Sequence, residues 1–100
     1  MPTTTKALFR GAAATSSTTL YTVPSATTTV VSNIVVTNTA TSAATFSLSL
    51  NGTSIGTSVI VAANDSTVID MKQVLAATQT ITGLASAITV NFHISGVEIS

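Results

Sequence analysis

One histidine, three carboxylates and a large stock of hydroxyls are all that this chain offers for chemistry. The histidine is His93 and the carboxylates are Asp65, Asp70 and Glu98. Nucleophilic catalysis by a serine or threonine needs a base within hydrogen-bond reach. A single histidine sets one such site as the maximum, and with three carboxylates scattered over the chain a triad is improbable. His93 falls between Asn91 and Ser95 in an alternating segment, on the phase of the polar residues, so it reads as an exposed or interface side chain. A metal needs several companions for that histidine, and the spacing of Asp65 and Asp70 lacks the dense oxygen ligands of a calcium loop. Asp65 reads as a turn former and Asp70 as a solvated group on an edge strand.

Other signals are equally thin. There is no cysteine, hence no thiolate nucleophile, thiolate metal site or disulfide. Gly52 and Gly56 belong to a hairpin and form no phosphate loop. Asn51-Gly52-Thr53 and Asn64-Asp65-Ser66 match the glycosylation sequon in form only, because turns are rich in these residues. The expectation is a protein that is not an enzyme and uses no metal or cofactor.

The elements that carry these residues follow from composition and periodicity. The 100 residues suit one domain. Charged residues are 6% of the chain, where about a quarter is usual. Apolar residues still reach 45%, mostly Val, Ile, Leu and Ala, with four aromatics: Phe9, Tyr21, Phe46 and Phe92. Such a composition opposes disorder, which goes with low hydrophobicity and high net charge. It also favours sheets, since β-branched residues pack well on a pleated surface. Three cationic residues are too few for nucleic-acid binding. No apolar run approaches a membrane span, and the first residues lack the pattern of a signal peptide.

Residues 1–17 read as an arm and linker. Within them 1–5 have no pattern, 6–10 alternate as a short edge strand, and 11–17 are rich in Gly, Ala, Ser and Thr. Residues 18–100 read as the sandwich domain. Strand signals cover 18–24, ending at Pro24, and 28–38, where Val30, Ile34 and Val36 share one face and Val31, Val35 and Thr37 the other. Residues 44–50 place Phe46, Leu48 and Leu50 inward. Asn51-Gly52 then predicts a type I′ hairpin into 53–62, with a bulge at Gly56. Residues 63–66 are a turn, 67–71 a short strand, 72–79 a loop with one helical turn, and 79–84 a strand. Residues 87–95 put Ile88, Val90, Phe92 and Ile94 inward, with a bulge expected at Ser95–Gly96. The fold class is therefore all-β: an antiparallel β-sandwich or jelly-roll-like domain of seven to eight short strands.

The outward positions carry Thr, Ser and Asn where soluble monomers carry Lys and Glu. Strand propensity explains the threonines but not the missing charges, which point to a contact surface.

The stretch LYTVPSATTTVVSNIVVTN over 20–38 resembles a recurrent signature of small structural proteins of tailed-bacteriophage virions. The resemblance continues through FSLSLNG, AANDSTVIDMKQVLAATQTI, VNFHISGVEIS and the leading LFRGAAAT. It implies a virion component made in the host cytoplasm, most simply a capsid decoration (cement) protein that binds and stabilises the head. The alternative it implies is a tail-associated structural or receptor- and glycan-binding protein. The expected partners are further copies in a homotrimer and the major capsid protein or another virion protein, with neither nucleic acid nor membrane. The expected contacts from arm to capsid are Lys6 and Arg10 against acidic groups and Leu8 and Phe9 as apolar anchors.

Overall fold

The computed structural model describes residues 3–100, and these form eight strands and no helix. In chain order they are β1 (Thr3–Ala12), β2 (Thr18–Thr22), β3 (Thr28–Asn38) and β4 (Ala44–Leu50), then β5 (Thr53–Val61), β6 (Asp65–Leu75), β7 (Thr80–Ala85) and β8 (Val90–Ile99). They make two four-stranded sheets. Sheet A has the order β1-β8-β3-β6 and sheet B the order β2-β7-β4-β5. Every pairing is antiparallel.

The order follows from one long hairpin folded over on itself. Its tip is the β4–β5 hairpin at Asn51-Gly52, where both residues take positive φ (49° and 79°), as a type I′ turn requires. Outward from the tip, β3 pairs with β6, β2 with β7 and β1 with β8. Successive pairs fall in alternate sheets, which is the winding of an eight-stranded jelly roll.

Alternation places the core. Ala44, Phe46, Leu48 and Leu50 of β4 face Val90, Phe92 and Ile94 of β8 and Val31, Ile34 and Val36 of β3 across the sandwich, all of them buried. Phe46 and Phe92 meet edge to face, with ring centroids 6.1 Å apart and planes at 75°. That arrangement sets the positive edge of one ring against the negative face of the other. The rest of the core is mainly aliphatic, with Val, Ile, Leu and Ala around the two rings.

Irregularities cross sheet A in one line, and they overturn several sequence expectations. Register shifts occur between Ala7 and Phe9 of β1, and between Val31 and Asn33 of β3 against both of its neighbours. Strand β8 itself alternates without interruption from Val90 to Gly96. The bulge expected at Ser95–Gly96 therefore lies on the strands either side of it. The Ser32 hydroxyl donates to the Ser95 carbonyl across the gap, at 3.0 Å. An extra residue reverses the faces of everything beyond it. Val31, not Val30, thus joins Ile34 and Val36 in the core.

The same effect corrects the N-terminal arm. Residues 3–12 are strand β1, paired along β8, so the sandwich begins well before residue 18. The bulge turns Leu8 into the core, where it is 8% exposed, and the expected anchor is not on the surface. Met1 and Pro2, the start of the expected arm, lie outside the described residues. Residues 72–75, expected in a loop with a helical turn, continue β6, because β3 supplies their pairing through Val31↔Gln73, Val30↔Val74 and Thr29↔Leu75. Ile88 lies in the turn before β8 and is 71% exposed, so it is not inward.

Candidate functional site: an uncharged contact surface and a polar clasp

The residues with chemical potential do not converge. His93 lies on the outer face of sheet A, half-buried, with Arg10 and Val35 as cross-strand neighbours. Asp65, expected in a turn, instead opens β6 directly after the turn at Ala63 and Asn64, and its Oδ1 accepts from the Ser66 N–H at 2.8 Å. Asp70 is exposed on β6, an edge strand. Five residues of strand separate the two aspartates, about 17 Å, too far to share a proton or an ion. Among the described residues no three His, Cys, Asp or Glu side chains gather as a metal site.

One polar cluster does form, and the sequence did not single it out. Tyr21 of β2 is buried, and its hydroxyl donates to Glu98 Oε2 of β8 at 2.5 Å. The same hydroxyl lies 2.9 Å from Thr29 Oγ1 of β3, a fully buried side chain. Lys6 of β1 reaches Glu98 Oε2 at 3.4 Å. Burial first, then the bond to Glu98, raises the pKa of Tyr21, with the glutamate charge adding to the rise and the Thr29 bond opposing it. A phenol held protonated in this way is a hydrogen-bond donor, not a base. The cluster ties β2 of sheet B to three strands of sheet A, so what it supplies is a clasp between the sheets. The Lys6 contact adds little to it, since that amine is half exposed and screened by water. A lone tyrosine at an inward position of an aliphatic strand was the available signal, because a buried phenol needs a partner.

A second buried polar group sits at the opposite end of β3. Asn38 has no exposed surface. Its Nδ2 donates to the Ser42 carbonyl at 2.8 Å and to those of Val61 and Ala62 at 3.3 and 3.4 Å. Its Oδ1 accepts from the Ala40 N–H at 3.1 Å and from the Thr89 hydroxyl at 3.2 Å. One side chain thus fastens three loops.

The distribution of charge is what the fold adds. All six charged residues lie on sheet A: Lys6 and Arg10 on β1, Asp65, Asp70 and Lys72 on β6, and Glu98 on β8. No strand of sheet B carries one. On the outer face of sheet B, Thr19, Thr82, Ser49 and Ser54 are register partners in one row across all four strands. Leu84 lies beside Ser47, and Ile60, 70% exposed, beside Thr45. The face is hydroxyl and aliphatic throughout. Hydroxyls both donate and accept, so such a face can bond to a partner without desolvating a charge.

The four expected contact residues are dispersed by the bulge in β1. Leu8 is in the core, Phe9 is half-buried against it, Lys6 is turned to Glu98, and Arg10 is exposed on the outer face of sheet A. Near Lys6 the line of bulges leaves an open depression of about 390 Å³, with Ser32, Ser95 and Gly96 on its floor and Lys6 its one ionisable group. No protein-family model matches the chain, and no curated protein matches it either.

Proposed function

We propose that the chain is a virion structural protein, a capsid decoration (cement) protein of a tailed bacteriophage, that acts by binding and not by catalysis. The observation that carries this reading is the segregation of charge: one sheet of the sandwich has none. A freely diffusing protein of this size keeps charge on all sides, which holds copies apart. A face of threonine, serine and isolated aliphatic side chains instead suits permanent contact, since its polar groups bury at small cost once hydrogen-bonded. The likeness of residues 20–38 to small virion proteins supports the same assignment.

In this reading sheet B lies on the capsid shell and takes over the anchoring role expected of Leu8. Arg10 and the partly buried Phe9 remain as lesser contacts from β1. Copies also associate with one another, as a homotrimer. Stabilisation comes from mass action: a protein that binds the assembled shell and not its dissociated subunits favours the shell. The test is to remove the protein from purified particles and follow the shell's thermal transition. A lower transition that returns when the protein is added back is expected. An unchanged transition refutes the assignment. Copy number per particle separates head from tail: hundreds, in proportion to capsid subunits, accord with decoration, and a few to some dozens assign it to the tail.

A further inference from the structure

Five of the six charges occupy the two edge strands of sheet A, and the two edges differ in sign. Strand β1 carries Lys6 and Arg10 and no acid, whereas β6 carries Asp65 and Asp70 with Lys72. We propose that β1 of one copy pairs with β6 of the next, so that sheet A runs continuously from copy to copy around a closed ring. This rests on the self-association in the reading above, and not on its assignment to a virion.

Three features favour a second copy as the occupant of these edges. The first is strand direction. β1 runs opposite to β8, β8 to β3 and β3 to β6, so β1 and β6 are antiparallel. A copy rotated about an axis along the strands therefore sets its β1 antiparallel to β6, the sense of every other pair in the sheet. The second is length, ten residues for β1 and eleven for β6. The third is side-chain placement on the outer face. Register partners across sheet A give the rows Arg10–His93–Val35–Val68 and Ala7–Ser95–Asn33–Asp70. A stagger of one row, well within ordinary sheet shear, brings Arg10 of one copy to Asp70 of the next. It also sets Ala12 beside Val68, which is 59% exposed within a single copy.

Charges on edge strands ordinarily prevent pairing. Here they discriminate. Two β1 edges repel, and a β1 edge meeting a β6 edge gains an opposite pair. Pairing of β1 is thereby directed to β6 of another copy, a head-to-tail contact that generates rings when the rotation closes.

The experiment is sedimentation of the whole protein across a range of concentration, comparing the wild type with Arg10→Asp, Asp70→Arg and the doubly swapped chain. Both positions are exposed, so far-UV circular dichroism and melts taken at a concentration where the wild type is dissociated should match the wild type and exclude misfolding. The expected result is a discrete oligomer for the wild type and a dissociation constant raised about tenfold or more in each single variant, because like charges then face each other. The double swap should recover association. A wild type that stays monomeric overturns both this pairing and the self-association above it. An oligomer that neither single swap weakens, or that the double swap does not restore, overturns edge pairing alone and leaves self-association standing. Shell stabilisation is read separately and tests the virion assignment.

Discussion

Replacing Asn38 with alanine should be among the most damaging single changes in this domain, although Asn38 is a polar residue at the end of a strand. The side chain has no exposed surface and uses its full capacity: its two N–H groups are shared among three carbonyls and its oxygen accepts two bonds. Alanine leaves the Ser42 and Val61 carbonyls, the Ala40 N–H and the Thr89 hydroxyl without this partner. A buried polar group left unpaired costs about 1–3 kcal/mol. The Ser42, Ala40 and Thr89 bonds lie in partly buried surroundings, where water can substitute for the lost partner. The Val61 carbonyl is in the interior and has less access to water. Together these give a loss of about 3 kcal/mol, to which the vacated volume adds. For a domain of this size that lowers the melting temperature by about 12–24 °C. Asn38→Asp should be worse near neutral pH, because its carboxylate faces the carbonyl oxygens of Ser42, Val61 and Ala62. The assay is thermal and urea unfolding followed by far-UV circular dichroism, with Asn33→Ala, on the outer face of β3, as a control expected within about 0.5 kcal/mol of wild type. A loss below about 1 kcal/mol for Asn38→Ala would mean that the loops hold their positions without the side chain.

Gly96→Ala should cost about 1–3 kcal/mol by the same unfolding assay, because a Cβ there collides with the Val30 carbonyl oxygen and lies 3.0 Å from Leu8 Cδ1. Gly52→Ala should cost about 1 kcal/mol through strain alone, since φ is +79° and the space around it is open; an unchanged urea midpoint would contradict the type I′ turn. Tyr21→Phe should lose about 1–2 kcal/mol as Thr29 and Glu98 lose their shared partner, read as a lower melting temperature. The pH dependence of the wild type carries a sign set by the same residue. Its folded pKa is raised above the ordinary value of about 10, so the folded state holds the proton more tightly. That contribution is fully present below about pH 10 and is lost as pH rises through the folded pKa. Melts across the alkaline range should fall in the wild type and fall less in Tyr21→Phe; equal slopes would exclude the phenol as the cause.

Much of the fold is legible in local pattern. The alternation of β4 and the Asn51-Gly52 turn appear in the structure where periodicity puts them, and β3 has the limits read from the sequence. The errors of facing in β1 and β3 share one cause. Leu8, Val30 and Val31 lie beside bulges in β1 and β3, and a bulge is a property of a strand and its neighbour together. Gly96 marked the right place in the sheet on the wrong strand, because the irregularity that relieves its surroundings is carried by β1 and β3. Strand β6 was cut short for a related reason: 72–75 have no clear period of their own and extend only because β3 lies beside them.

The candidate sites divide along the same line. Composition alone establishes that the chain is β-rich, short of charge and equipped with one histidine, since these need only counting and propensity. It cannot say that every charge belongs to one sheet. Lys6 and Glu98 are ninety-two positions apart, and Asn38 meets Thr89 across fifty-one. Such partners are chosen by the winding of the jelly roll, which sends successive strand pairs to opposite sheets. Residue types and their alternation set the kind of surface this protein presents. Tertiary structure decided where that surface lies and what holds it in place, because each depends on pairing between segments that no local period connects.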